Sequence, residues 1–181
     1  MAKKLSFVFL LLFLTFTSKE IYSAPRIHAG LSAGFGLPKI PISYFRTPFS
    51  LLAGGKLNCR LSRKLALEGE GCALYTFNMG TASGEKGKLR FNLVWGSFIF
   101  AYRINSDIEK ESFLMLGFGE YHLSQQFNKE KTVLVTPGFS LGLAAWKYRR
   151  RLSTVFELRW HLLFRPSNNP QVLTLTFGVM L

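Results

Sequence analysis

The chain ends with residues 172–181, VLTLTFGVML, in which apolar residues alternate with small or polar ones. The apolar face of this predicted strand consists of Leu173, Leu175, Phe177, Val179 and Leu181. No charged residue follows Arg165. Because successive side chains of a strand point to opposite faces, the pattern predicts a transmembrane barrel strand with one face to lipid and one to the interior. A buried terminal strand of a soluble sandwich is the alternative.

Residues 1–23 have the features of a secretory signal peptide. Lys3 and Lys4 precede an apolar run over residues 7–14, which is too short for a stable membrane-spanning helix. Cleavage is predicted after Ser23, with cleavage after Ala24 as the alternative, so the predicted domain is 24–181. No other stretch approaches twenty apolar residues, and any membrane crossing must therefore use strands.

Length and charge limit the classes of partner. The chain has 181 residues and a formal net charge of +13, and removing residues 1–23 takes away Lys3, Lys4, Lys19 and Glu20 and leaves about +11. The remainder has the size of one domain. Its basic character suits anionic lipid headgroups, phosphorylated glycolipid or nucleic acid, and the export signal argues against nucleic acid. We expect a monomer that carries no cofactor.

The predicted domain divides into eight alternating runs. They are residues 26–37, 49–61, 65–79, 89–104, 113–124, 132–146, 152–164 and 172–181. Longer connections, among them 125–131, alternate with shorter turns such as 62–64. This arrangement predicts an all-β, eight-stranded antiparallel up-and-down transmembrane β-barrel. The short turns and both chain ends are expected on the periplasmic side.

Three runs depart from simple alternation. In the fourth, the apolar phase changes between Trp95 and Phe98, so a bulge near residues 96–97 is expected to keep both halves facing outward. In the fifth, Glu120 and His122 are predicted to face inward. In the sixth, Pro137 removes a ladder hydrogen bond, and another bulge is expected because a closed barrel has no edge strand to accommodate a proline.

Five charged residues are predicted to share the inner face with glycines and threonines. They are Lys56, Glu68, Glu70, Glu157 and Arg159. They lie at similar depth, and the third and seventh runs face each other across an interior just wide enough for side chains. Because unpartnered buried charges are costly, we predict an ion-pair cluster that closes a packed polar lumen, with Arg159 reaching Glu68 or Glu70 and Lys56 beside them.

A second candidate site lies on or beside the longer connections. Lys86, Lys88, Lys129 and Lys131 are predicted to attract the phosphates of glycolipid headgroups. A merely solvated set of loop lysines is an equally good interpretation.

Cys59 and Cys72 are predicted to be free thiols. With the tight turn centred on Arg63, Cys59 lies opposite Leu67 and Cys72 opposite Gly54, which separates the cysteines by about 16 Å along the hairpin. A disulfide needs Cα atoms within about 7 Å. Neither the cysteines nor the three histidines have the spacing of a metal site, and no metal is expected.

With these features the chain resembles the small eight-stranded outer-membrane barrels of the opacity, OmpA and OmpX type. The resemblance rests on the signal peptide, the eight runs, the apolar last strand and glycine-lined inner faces such as residues 30–36 and 117–121. The chain departs from the family pattern at its last residue, which is usually aromatic in the family and is Leu181 here. The resemblance implies an outer-membrane location, contact with outer-membrane lipid and the barrel-assembly machinery, and a non-catalytic role in envelope integrity, adhesion or surface interaction.

Two alternatives belong to other classes. A lipocalin-like soluble barrel would place the apolar face inside and the charges outside. A lipid A deacylase-like enzyme is suggested by a faint similarity at residues 159–161 and 166–170. However, Leu163 stands where that family has its serine, and the last run has no acid, so a hydrolytic triad cannot be assembled. His161 is therefore predicted to be an inward packing or hydrogen-bonding residue.

Overall fold

The computed structural model describes residues 21–39, 50–76, 79–80, 88–106, 110–127, 130–147, 152–165 and 169–181. The strands are β1 Ile21–Lys39, β2 Ser50–Ser62, β3 Leu65–Thr76, β4 Met79–Gly80, β5 Lys88–Ser106, β6 Lys110–Phe127, β7 Glu130–Lys147, β8 Ser153–Leu163 and β9 Gln171–Met180. Residues 21–23, assigned above to the signal peptide, lie in β1. Cleavage of the signal peptide stays a prediction, since residues 1–20 lie outside the described residues.

The strands form one closed antiparallel barrel. Their order is β3-β2-β1-β9-β8-β7-β6-β5-β4, and the pairing of β3 with β5 closes the ring. The two-residue β4 pairs with β5 beside β3, so eight long strands make the wall. The first and last strands meet from Gly30 opposite Met180 to Lys39 opposite Gln171. The predicted eight-stranded up-and-down barrel is confirmed.

The outer face of the wall is apolar. Side chains that point away from the lumen remain highly exposed, for example Leu31 at 76%, Ile27 at 69% and Phe98 at 69%. A water-soluble protein rarely exposes so large an apolar surface, whereas a membrane barrel turns it to lipid. The lipocalin-like alternative is therefore wrong. No helix among the residues with assigned positions is long and apolar enough to cross a membrane.

The predicted bulge in the fourth run is wrong. β5 pairs with β6 without interruption from Leu89 to Arg103, and the one irregularity follows at residues 103–105. An unbroken register keeps one side-chain phase along the strand. Phe98 faces outward, so Phe91, Leu93 and Trp95 face the lumen, where they are buried among other apolar side chains.

Two further predictions in β6 are wrong. Glu120 and His122 are exposed on the outer face, where a His122 ring nitrogen lies 2.8 Å from a Glu120 carboxylate oxygen. Tyr121 and Leu123 take the inward positions instead. The connection to β7 is also short, since Phe127 lies opposite Glu130 and only two residues separate them.

Pro137 is accommodated without a bulge. It lies opposite Glu120 in a continuous β6–β7 ladder, while β8 pairs with β7 only from Gly138 onward. The Phe164 N–H donates to the Pro137 carbonyl at 2.9 Å, so the Pro137 nitrogen also faces β8 and interrupts no bond to β6. The Thr136 hydroxyl donates to the Phe164 carbonyl in place of the missing proline N–H. Because the barrel strands are staggered, β7 has a local edge on its β8 side at Pro137. The expectation that a closed barrel offers no edge for a proline is therefore wrong.

The cysteine prediction is confirmed. Cys59 lies opposite Leu67 and Cys72 opposite Gly54, as the tight turn at residues 63–64 requires. Both thiols are free. Cys59 is half-buried, and Cys72 is buried on the lumen side.

Inward and outward glycines should respond differently to a side chain. A Cβ at Gly34 would overlap the Leu175 backbone carbonyl across the closing seam, whereas a Cβ at Gly71 would have no atom within 4 Å. We expect Gly34→Val to lower the free energy of unfolding by about 3 kcal/mol or more, and Gly71→Val to change it by less than about 1 kcal/mol. Heat-dependent gel mobility of the refolded barrels measures this. Equal fractions of folded protein for the two variants would contradict the described seam.

Candidate functional site

The five predicted interior charges lie together at the middle of the lumen. β2 contributes Lys56, β3 contributes Glu68 and Glu70, and β8 contributes Glu157 and Arg159. All five side chains are buried. Each occupies an inward position of its strand, since its two neighbours along the chain are more exposed.

Arg159 binds Glu70 through two hydrogen bonds across the lumen. Its Nη1 donates to Glu70 Oε1 at 2.7 Å, and its Nη2 donates to Glu70 Oε2. Arg159 Nε also lies 3.4 Å from Glu157 Oε2. A fork of this kind fixes both the distance and the angle between its partners, so β8 is held to β3 although the two strands are not neighbours in the sheet.

Lys56 joins the three carboxylates. Its Nζ donates to Glu68 Oε1 at 3.3 Å and to Glu157 Oε2, and it lies 3.7 Å from Glu70 Oε2. Three acids therefore surround two cations, and every charge has an opposite charge within 4 Å. The mutual attraction offsets the cost of removing these charges from water.

Glu70 accepts two more hydrogen bonds that the sequence analysis missed. Trp95 Nε1 donates to Glu70 Oε1 at 2.9 Å, and Ser97 Oγ donates to the same atom at 2.8 Å. The bulge expected near residues 96–97 places Trp95 on the outer face. Counting back from Phe98 in steps of two, without a bulge, would have placed both donors inside.

His161 lies beside the charged layer, on the side of the long connections, and forms hydrogen bonds with Tyr121 and Thr174. Its Nδ1 is 3.0 Å from Tyr121 Oη, its Nε2 is 3.1 Å from Thr174 Oγ1, and Thr174 donates to the Arg159 carbonyl at 3.3 Å. The Trp95 ring lies edge-on to the imidazole, with centroids 5.2 Å apart. The buried histidine has both ring nitrogens engaged, which confirms the predicted packing and hydrogen-bonding role.

Apolar clusters lie on both sides of the charged layer. The cluster toward the long connections contains Leu52, Cys72, Leu74, Phe91, Leu93, Trp95, Tyr121, Leu123, Leu163 and Val172. The cluster toward the short turns contains Ala66, Ile99, Ala101, Phe113, Met115, Ala144, Trp146, Val155 and Met180. The prediction of a packed polar lumen is therefore wrong for these two layers, in which the strands turn large apolar side chains inward.

A second ion-pair group lies inside the barrel at the short-turn end. Glu111 binds Arg60 through one carboxylate oxygen, and the other accepts a hydrogen bond from Arg103 Nη1 at 2.7 Å. The predicted fifth run begins at residue 113, so the sequence pattern did not identify Glu111 as a partner for Arg60 and Arg103. The longer β6 brings this acid into the wall.

Of the four predicted headgroup lysines, Lys131 is the one whose side chain the structure describes. Lys86 and Lys129 lie outside the described residues, as does the side chain of Lys88 at the start of β5. Lys131 is exposed and lies opposite Gln126. It is eight residues from Phe139 along β7, a distance of about 26 Å at 3.3 Å per residue. A role in headgroup binding stays a prediction.

No protein-family model and no curated protein sequence matches the chain. Solved structures match its fold. Neisserial surface protein A has a TM-score of 0.68 and 8% identity, covering 88% of this chain and 99% of that one. A major outer membrane protein from Thermus thermophilus has a TM-score of 0.59, 15% identity and coverage of 85% and 98%. Ail, the attachment invasion locus protein of Yersinia pestis, in complex with the heparin analogue sucrose octasulfate, has a TM-score of 0.55, 12% identity and coverage of 86% and 99%.

These similarities show a shared fold. The chain has the eight-stranded barrel architecture of outer-membrane proteins, and its apolar outer face is the one that such a location requires.

Removing Arg159 should destabilise the barrel. Arg159→Ala leaves Glu70 and Glu157 short of a cation, and we expect the free energy of unfolding to fall by about 3 kcal/mol. The matched control is Arg165→Ala, because Arg165 is exposed. Denaturant unfolding in detergent micelles, followed by tryptophan fluorescence, gives both values. The double variant Arg159→Met with Glu70→Gln should lose less free energy of unfolding than the sum of the losses in the single variants Arg159→Met and Glu70→Gln. Equal stability of the Arg159 and Arg165 variants would show that the ion pairs do not hold the barrel.

Proposed function

We propose that this protein is a non-catalytic outer-membrane β-barrel with a plugged lumen, which supports the envelope or makes contacts at the cell surface. The observation that carries the proposal is the buried ion-pair network from Arg159 and Lys56 to Glu68, Glu70 and Glu157, which crosses the interior. Side chains that bind each other across a barrel occupy the volume through which solute would pass.

The packing around the network supports a plugged lumen. An eight-stranded barrel encloses little more space than its own side chains fill. Here Phe91, Trp95 and Tyr121 are buried on one side of the charges, and Phe113 and Trp146 on the other. A solute would have to displace aromatic side chains twice and break the ion pairs between them.

A surface role draws support from the lengths of the strands. β5, β6 and β7 have 19, 18 and 18 residues, whereas β8 and β9 have 11 and 10. Residues 130–137 of β7 extend past the end of β8, a length of about 26 Å at 3.3 Å per residue. The matched structures include a surface protein and an attachment protein solved with a heparin analogue, so a wall that projects beyond the membrane is compatible with such contacts.

The enzyme alternative draws no support from the residues that suggested it. His161 faces the lumen and is 1% exposed, and its hydrogen-bond partners are a tyrosine and a threonine. A hydrolytic histidine must reach both a nucleophile and its substrate.

Planar-bilayer recordings test the plugged lumen. We expect the purified full chain to give no steady, large-conductance openings, because the ion pairs and aromatic layers fill the interior. An open porin recorded under the same conditions shows that channels would be detected. Steady large conductance from the folded wild-type protein would overturn the plugged lumen.

The cellular role needs a separate measurement. Cells that lack the protein should either admit a large hydrophilic antibiotic more readily or adhere less well to a glycan-coated surface, and the protein supplied in trans should restore the changed property. Unchanged permeability and adhesion in the deletion strain would contradict both proposed roles.

A further inference from the structure

Exposed cations form an arc around the short-turn end of the barrel. Arg63 and Lys64 form the turn between β2 and β3, Lys110 begins β6, and Lys147 ends β7. Lys64 lies beside β5, because the Arg103 N–H donates to its carbonyl at 2.8 Å. Since β3, β5, β6 and β7 are consecutive in the wall, the four cations occupy one continuous part of its rim.

Lys110 and Lys147 lie directly opposite each other on paired strands. Opposed side chains on one face have Cβ atoms about 5 Å apart, and like charges in this position destabilise a sheet. None of the four cations of the arc forms an ion pair with any acid whose side chain is described. The described acid at this end is Glu111, which faces inward and already binds Arg60 and Arg103. Among the described residues, the fold thus places like charges together without a counter-charge.

The lysine pair faces the lipid side of the wall. Lys110 has the same strand phase as Leu114, and Lys147 the same as Leu143, and both leucines are exposed on the apolar outer face. Each lysine is four residues beyond its leucine, about 13 Å along the strand. The lysines therefore lie at the level of lipid headgroups when the leucines lie in hydrocarbon, and lysine stems readily extend along such a boundary.

We propose that this arc binds the phosphate groups of anionic phospholipids in the leaflet at the short-turn side, with Lys110 and Lys147 as the central pair. This inference rests on the proposed membrane location. The ligand is a lipid rather than a free anion, because apolar surface adjoins the cations: Tyr102 and Ile104 are exposed on the outer face of β5 nearby. A phosphate between the two ammonium groups removes their repulsion, and its acyl chains cover the apolar wall.

The test compares three full-length proteins in vesicles of phosphatidylcholine and phosphatidylglycerol in equal parts. They are the wild type, Lys110→Gln combined with Lys147→Gln, and the control Lys39→Gln, which removes an exposed lysine at the end of β1, opposite Gln171 and far from this rim. After extraction in mild detergent, native mass spectrometry counts the two lipids on each barrel. We expect the wild type and the control to retain phosphatidylglycerol preferentially, and the double variant to lose that preference about fivefold or more. High salt should weaken the preference of the wild type.

Several results would overturn the proposal. One is equal phosphatidylglycerol retention by the double variant and the wild type, and another is an equal loss in the control. Full displacement of the lipid by inorganic phosphate at matched ionic strength would indicate a general anion site instead. Gel mobility of the same samples shows whether each barrel is inserted. A wild type that does not insert would disprove the membrane location itself, whereas an inserted barrel without lipid preference disproves the headgroup site alone.

Discussion

A bilayer offers no hydrogen-bond partner to a backbone N–H or C=O, so each of these groups in the wall must be satisfied within the protein. The eight long strands meet this requirement by closing on themselves, with β1 against β9 and β3 against β5. Pro137 shows how strictly it applies. Where the proline lacks an N–H, the Thr136 hydroxyl donates to the carbonyl of Phe164 instead. Close pairing of β1 with β9 also requires small inward residues where the two strands meet. A side chain at Gly34 would overlap the backbone of β9.

Closure of the barrel produces a narrow interior that side chains must fill, and these side chains form layers. Ion pairs occupy the middle, apolar clusters lie on both sides, and Glu111 with its two arginines lies at the short-turn end. The bidentate contact of Arg159 with Glu70 links strands that the sheet itself does not join. Buried charges without partners would be too costly to retain, so the charged layer depends on the barrel just as the barrel depends on it.

Charge on the outside follows a different rule. Inside the barrel, each described acid has a cation within 4 Å, whereas the lysines at the short-turn rim have no described counter-charge. The interior is shielded from ions and must neutralise itself, while the rim borders headgroups and solvent that can supply anions. The proposed lipid contact and the proposed plugged lumen thus use the chain's basic residues in two separate ways.

The sequence by itself determined the fold class, the phase of six of the eight long strands, the free cysteines and the shared inner face of Lys56, Glu68, Glu70, Glu157 and Arg159. Alternation has a period of two, so it reports which side a residue faces whenever one side is consistently apolar. It failed in β5 and β6, where apolar side chains such as Trp95 and Tyr121 fill the lumen and both faces are largely apolar. Only pairing with neighbouring strands decides the phase there. The stagger that accommodates Pro137, the donors to Glu70 and the opposition of Lys110 and Lys147 likewise depend on register between strands, which tertiary closure fixes.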